Sequence, residues 1–419
     1  MRASWIAAGV LPLMLPITSS FAQQGPIKIG LILPLSGTFA PNGEDTLTGT
    51  RIYFDSIGNQ VGGRKIELII EDEQGRPDVG LTKARKLVEN DKVQILAGFV
   101  STAVALAVND YAREKKIPMV LSGDAGANEL TMPGPLYNPY IVRTSQNGRT
   151  PAAAAAAFAY KNGWRKVATM TSDYAGGFDT IGGFAQAFCK LGGTIVQEQY
   201  PPINTNDYGP YVTNVQSGVD GVVTFLPGSA GLKFVKQFDE LGMKAKYPLM
   251  DIFGQIVYEP FLPQLGDAAL GIYSTLHYAP TIKTPENEAF VAEYMKRAKR
   301  IPSDNGADGW AGAHAIADAA KAVDGKVEDT EKFLAAFRPD KFASPKGNIS
   351  FDKYGQLIQS MYVRKVEKTA DGYANVVVEK FDNVDQFWPM TEAELESYKY
   401  RYSELKGSMT NCAKVLEKK

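Results

Sequence analysis

The chain has 419 residues, 44% of them hydrophobic, and its 45 basic and 46 acidic side chains leave a formal net charge of −1. That length accommodates two domains, each with its own core. The balanced charge lacks the clustered basic face that a nucleic-acid partner demands, and it argues against that class of function.

The first 22 residues have the composition of a secretory signal peptide. Arg2 is followed by an apolar run from Ile6 to Ile17, and Ser20-Phe21-Ala22 sets small residues ahead of cleavage, predicting a mature chain that starts at Gln23. The run is shorter than the roughly 20 residues that span a bilayer; a buried N-terminal helix is the other reading. No Cys follows the cleavage site to carry a lipid, and no later stretch is apolar enough to cross a membrane. The expectation is a periplasmic, soluble chain with no membrane insertion. Its two cysteines, Cys189 and Cys412, form an even pair in an oxidising compartment, which favours a disulfide. Two unpaired thiols are the alternative.

From Ile27 the chain alternates short β-rich runs with amphipathic helices: strand Ile27 to Leu35, helix Thr46 to Ile57, strand Lys65 to Asp72, helix Pro77 to Asn90, strand Val93 to Phe99, helix Ser101 to Lys115 and strand Ile117 to Ser122. The pattern then restarts. Helix Pro151 to Lys161, strand Val167 to Ser172, helix Gly177 to Leu191 and strand Ile195 to Tyr200 lead to a helix near Tyr208, strand Gly221 to Leu226, helix Ala230 to Leu241 and strand Pro248 to Phe253. Such alternation predicts an α/β fold of two doubly wound parallel sheets. The remainder, strand Ile272 to Ala279, helices Glu286 to Arg300 and Asp308 to Val323, and a strand pair Gln359 to Glu367 with Asn375 to Phe381, is too little for a third unit.

The expected division is lobe I from 27–143 plus 275–353, lobe II from 146–272 plus 357–388, and a tail, 389–419, packed on lobe II through a helix from Glu392 to Leu405. The chain then crosses between lobes near Arg143 to Gln146, Ile272 to Thr275 and Lys353 to Gln356. Three such crossings make a hinge. The basic cluster Lys296, Arg297, Lys299 and Arg300 reads as a solvated helix face.

Enzyme chemistry has little support. His277 and His314 are the only histidines and neither has zinc-ligand spacing, so no metal is expected; His314, in an Ala-rich helix, reads as packing. No G-x-S-x-G elbow, Walker A loop or G-x-G-x-x-G fingerprint follows a strand, and no cofactor is expected.

In doubly wound sheets a ligand sits beyond the carboxyl ends of the strands. That rule selects Val100-Ser101-Thr102, whose free N–H groups and hydroxyls suit a carboxylate, and Ser122-Gly123-Asp124-Ala125-Gly126 from the first lobe. From the second it selects the loop around Tyr174 and Phe225-Leu226-Pro227-Gly228. Ser101 or Thr102 as a simple helix cap is equally compatible.

The phrases IKIGLILPLSGTFAPNG, VQILAGFVST, IPMVLSGDAGANELT, VATMTSDYAGGFDTIGGFAQAF and LGDAALGIYS, in this order, resemble the leucine/isoleucine/valine-binding proteins of ABC importers up to about Phe381. The resemblance implies the type I periplasmic-binding fold, closure on a ligand, and handover to a membrane permease and its ATPase by a monomer. It also implies that Ser101 or Thr102 holds a ligand carboxylate. Other family positions depart: the amino-group threonine falls at Gly126, a tyrosine falls at Gly176 with Tyr174 close by, the acidic partner falls at Ile252 beside Asp251, and the first-loop aromatic becomes Asn42 with Phe39 nearby. An ammonium buried without a partner is costly, and only Asp124 and Asp251 could supply one. Both a branched-chain amino acid and an aromatic or other hydrophobic organic acid therefore remain as ligand classes. The expected binding set is Phe39, Asn42, Ser101, Thr102, Ser122, Asp124, Ala125, Tyr174, Phe225, Asp251 and Phe253. A sensor subunit of the same fold is the alternative function, and an enzyme the remote one.

Overall fold

The computed structural model describes residue 1 and residues 25–337, 342–370 and 372–419. The expected cleavage site at Ala22 lies outside the described residues. Among them, no helix is long and apolar enough to cross a membrane.

The first sheet contains β1 (Ile27–Leu33), β2 (Gln60–Val61), β3 (Arg64–Asp72), β4 (Ile95–Gly98), β5 (Met119–Leu121) and β6 (Ile141–Arg143), in the order β2-β3-β1-β4-β5-β6. All its pairings are parallel except the short β2–β3 turn. Six of the seven residues of β1 are buried, as a strand covered by helices on both faces requires. Those helices are α1 (Ala40–Ser56), α2 (Pro77–Glu89) and α3 (Thr102–Lys115).

The second sheet begins after α4 (Arg149–Lys161). It runs through β7 (Lys166–Thr171), β8 (Thr194–Gln199), β9 (Gly221–Phe225), β10 (Leu249–Ile252) and β11 (Tyr273–Leu276), with α5 (Ala175–Leu191), α6 (Gly209–Thr213), α7 (Ser229–Glu240) and α8 (Leu262–Leu265) between them. The chain then adds α9 (Pro285–Ala298), α10 (Asp304–Ala322) and α11 (Thr330–Ala335) against the first sheet. A hairpin of β12 (Phe342–Ser344) and β13 (Gly347–Phe351) follows, then the long antiparallel pair β14 (Leu357–Thr369) and β15 (Gly372–Val384). β14 pairs with both β13 and β11, so one strand runs from the first lobe into the second.

Several expected boundaries move for local reasons. α1 starts at Ala40 rather than Thr46, because Pro41 in the first turn needs no hydrogen-bonded N–H. β11 lies wholly inside the second sheet, paired with β10 and β14, so the second crossing follows Leu276 instead of falling at 272–275. The unforeseen hairpin β12–β13 and Leu357 at the start of β14 belong to the first core, with Phe342, Ile349 and Leu357 among its buried residues. The first and third crossings run side by side, Arg143 N–H donating to Gly355 O at 2.8 Å. Arg300 is no solvated charge, since it pairs with buried Asp45. His314 packs against Tyr53 with ring centroids 4.8 Å apart.

The expected tail helix stops early. α12 spans Glu392–Ser397, after which Tyr398 is extended and bridges Lys418, while Lys399 N–H donates to Glu417 O. Backbone pairing to the chain's end replaces helix continuation there. The tail ends in α13 (Cys412–Val415) and is joined to α5 by the Cys189–Cys412 disulfide, Cα atoms 5.4 Å apart.

Candidate functional site

In each sheet the strand order reverses direction at the first strand of the unit. β1 has β3 on one side and β4 on the other, and β7 likewise sits between β8 and β9. At such a switch point the following loops diverge to opposite faces and leave a crevice. The loops after β1 and β4 therefore face those after β7 and β9. Between them lies a narrow cavity lined by Phe39, Asn42, Val100, Asp124, Tyr174, Phe225, Pro227, Phe253 and Gln255.

The loop after β1 is pinned by Asp72, whose Oδ1 accepts from Leu35 N–H at 2.9 Å and whose Oδ2 accepts from the Ser36 hydroxyl at 2.7 Å. These hydrogen bonds hold the carboxyl below its ordinary range despite the opposing effect of partial burial. Phe39 is thereby presented at the start of α1, with Asn42 in its first turn. Two phenylalanines at strand ends, Phe99 after β4 and Phe253 after β10, take left-handed backbone angles, φ +67° and +71°. Bulky side chains rarely adopt that conformation, and its cost is met by the surrounding fold at sites that position a ligand.

The rings form a continuous wall. Centroids are 6.1 Å apart for Phe39 and Tyr174, 6.3 Å for Tyr174 and Phe225, and 5.1 Å for Phe225 and Phe253. Tyr174 caps α5 and its hydroxyl folds back over the first turn, so a Cβ on Gly176 would sit 2.6 Å from that hydroxyl and 2.9 Å from Thr102 Oγ1. The N-termini of α3 and α5 thus converge from the two lobes beside the cavity. Ser101 and Thr102 are both buried at this junction, and Thr102 Oγ1 accepts from Gly126 N–H at 2.9 Å.

Polar groups gather at Asp124. Its Oδ2 accepts from Asn305 Nδ2 at 2.8 Å and from Gln255 Nε2 at 3.2 Å, and Gln255 Oε1 accepts from Asn42 Nδ2 at 3.3 Å. Burial, then the neighbouring Asp308 carboxylate, push the Asp124 carboxyl up to about 7. Asp124, Asp304 and Asp308 each bring one oxygen within 4.8 Å of the others, the spacing of a possible cation site. Asp308 Oδ1, however, already receives Lys346 Nζ at 2.7 Å and His277 Nε2 at 2.8 Å, and His277 reaches Gln146 in the first crossing at 2.6 Å.

Of the expected binding set, Phe39, Asn42, Asp124, Tyr174, Phe225 and Phe253 come together around the cavity. Ser101, Thr102 and Ala125 lie in the adjoining loops, Ala125 giving its carbonyl to the Arg143 guanidinium. Ser122 and Asp251 are engaged elsewhere and do not line the cavity. Ser122 Oγ accepts from Gly98 N–H at 3.1 Å and ties β4 to β5. Asp251 accepts from Ile256 N–H at 2.8 Å and fixes the loop after β10. Gln255 was not anticipated. It follows two left-handed residues, Phe253 and Gly254, in a loop without any recognisable motif.

Two α/β lobes of mostly parallel strands, crossed three times and enclosing a cavity at paired switch points, define a hinged ligand-binding architecture. The chain belongs to the periplasmic binding protein family, whose model matches residues 26–372. The Leu/Ile/Val-binding protein homolog 6 of Brucella melitensis is 34% identical over 376 residues, which cover 87% of this chain and 94% of that one. Among solved structures, a solute binding protein of an ABC transporter from Rhodopseudomonas palustris HaA2, in complex with p-hydroxybenzoic acid, superposes with a TM-score of 0.82. Its identity is 35% over 88% of this chain and 100% of its own. A homologous protein from R. palustris BisB5, in complex with 3,4-dihydroxybenzoic acid, gives 0.81 at 35% identity over 86% of this chain and 98% of its own.

Proposed function

We propose that this protein is the exported substrate-binding component of an ABC importer and that its ligand is an aromatic carboxylic acid. The observation that carries the proposal is the lining of the cavity: the rings of Phe39, Tyr174, Phe225 and Phe253 form one continuous wall, the surface against which a planar aromatic body packs. The ligand carboxylate lies toward the N-termini of α3 and α5, where Ser101, Thr102 and the Tyr174 hydroxyl offer donors and the helix dipoles favour an anion. The ring lies between Phe39, Tyr174, Phe225 and Phe253. Supporting this, two relatives at 35% identity are described in complex with hydroxylated benzoic acids.

In this account the chain is cleaved after Ala22, works in the periplasm as a monomer, and performs no chemistry. Lobe I comprises 27–143 with 277–353 and lobe II 146–276 with 357–388, the second crossing falling just after Leu276. Closure around the acid creates the form that a permease and its ATPase receive.

The test is a thermal-shift series on protein that has been unfolded and refolded to strip bound solutes, using benzoate, 4-hydroxybenzoate and cinnamate beside leucine, isoleucine and valine. A ligand at about 100 times its Kd adds about 2.7 kcal/mol, a shift of a few degrees. Aromatic acids should respond. A response confined to the aliphatic amino acids overturns the proposal.

A further inference from the structure

At one end of the cavity two hydrogen-bond acceptors face inward with nothing to receive. Asn42 Oδ1 and Asp124 Oδ1 are both sequestered from solvent, both belong to cavity-lining residues, and neither has a donor partner. The amide groups that touch these two side chains hold them in place. Asn42 Nδ2 donates to Gln255 Oε1, which also receives Gly228 N–H at 3.5 Å, while Gln255 Nε2 and Asn305 Nδ2 both donate to Asp124 Oδ2. Gln255 therefore locks the orientation of both side chains and leaves acceptors, not donors, on the cavity side. Buried acceptors are rarely left unpaired, and at two that line a binding cavity a donor group on the ligand is one partner that satisfies both.

We infer that Asn42 and Asp124 read a hydrogen-bond donor on the ligand, a ring hydroxyl or amine at the end opposite its carboxylate. The inference rests on the aromatic-acid proposal above and narrows it to acids that carry such a donor. A ligand carboxylate at this end would face the acceptor oxygens of Asn42 and Asp124 and make no hydrogen bond to them, so the acid group is turned toward α3 and α5. Gln255 is a positioning residue here. It comes from lobe II yet orients two side chains of lobe I, so the donor is read by groups whose alignment depends on the lobes being together.

The experiment compares Kd values by titration calorimetry for benzoate, 4-methylbenzoate, 3-hydroxybenzoate, 4-hydroxybenzoate and 4-aminobenzoate on the refolded wild-type chain. The methyl and hydroxyl groups are close in size, and only the hydroxyl can donate. At least one hydroxy- or aminobenzoate should bind about 10- to 100-fold tighter than 4-methylbenzoate, the effect of leaving a buried acceptor unpaired. Which of the two substituents gains more identifies the donor as hydroxyl or amine. In Asp124→Ala that preference should collapse, and in Asp124→Asn, which keeps an acceptor oxygen, part of it should return. Equal affinity for 4-methylbenzoate and every donor-bearing acid overturns this inference and leaves the aromatic-acid proposal standing. A uniform loss for all ligands in Asp124→Ala also overturns it, by making Asp124 structural. Binding of none of the five overturns both.

Discussion

The two lobes meet the cavity with different chemistry. Lobe I contributes Asn42, Val100 and Asp124 with a single ring, Phe39, whereas lobe II contributes Tyr174, Phe225, Phe253 and Pro227 with a single amide, Gln255. Behind the walls both lobes keep carboxyls in surroundings that raise their affinity for protons, Glu73, Asp124 and Asp304 in lobe I and Asp179 and Asp251 in lobe II, but only lobe II has a covalent brace, from α5 to the tail. One lobe discriminates; the other encloses and is braced.

The strongest way to break this partnership is to keep the lobes apart. Gly228, with φ +62°, lies so close to lobe I that a Cβ would sit 2.2 Å from the Thr38 carbonyl oxygen. Gly228→Ala should weaken every ligand about 1,000-fold or more, some 4 kcal/mol, while lowering ligand-free stability by about 1–3 kcal/mol through the positive-φ backbone. Calorimetric titration beside a thermal melt checks both, and wild-type affinity in the variant would show that the cavity forms without this contact.

Removing the brace should damage stability without touching recognition. Cys189→Ser with Cys412→Ser is expected to lose about 2–5 kcal/mol in denaturant melts, as loss of a long-loop disulfide does. Affinity should stay within about twofold, since Cys189 lies near the C-terminal end of α5 and the cavity near its N-terminal end. A large change in Kd would extend the role of the brace to the binding wall.

The smallest effect sharpens the account of lobe I. Glu73 is fully buried, and burial pushes its carboxyl from the usual 4.5 up to about 7, against the pull of backbone N–H groups at Gly75 and Arg76. Because the folded state holds this proton more tightly than the unfolded chain, its contribution is fully present below about pH 4.5 and is lost as pH rises through about 7. Glu73→Gln should therefore match wild type near pH 4 and exceed it by up to about 3 kcal/mol at pH 8. Denaturant melts across that range would expose the opposite slope if the carboxylate is instead held ionised.

Much of this division was legible in the sequence because strand ends in a doubly wound fold are readable from alternation alone. Phe39, Tyr174, Phe225 and Phe253 all sit at such ends. Side chains whose direction depends on tertiary hydrogen bonds were not legible. Ser122 and Asp251 occupy the right loops, yet backbone N–H groups of Gly98 and Ile256 claim them. Gln255 lay beyond inference because it acts by spanning two lobes, and no local pattern encodes a distance of 131 residues to Asp124. Asp304 and Asn305 were missed because α10 begins at Asp304, a full turn before the apolar periodicity that marks the helix.

The cavity has a kinetic consequence. Its walls belong to both lobes, and the lobes also touch outside it, where the Tyr258 hydroxyl donates to buried Asp45 at 2.6 Å and Ser229 N–H donates to Thr38 O at 3.4 Å. Where a solute leaves only after these contacts part, its dissociation rate is bounded above by the rate at which the closed form opens, and tight and weak solutes of the same outline share one speed limit. Residence time is then a property of the hinge strands around Arg143, His277 and Gln356 as much as of anything the solute touches.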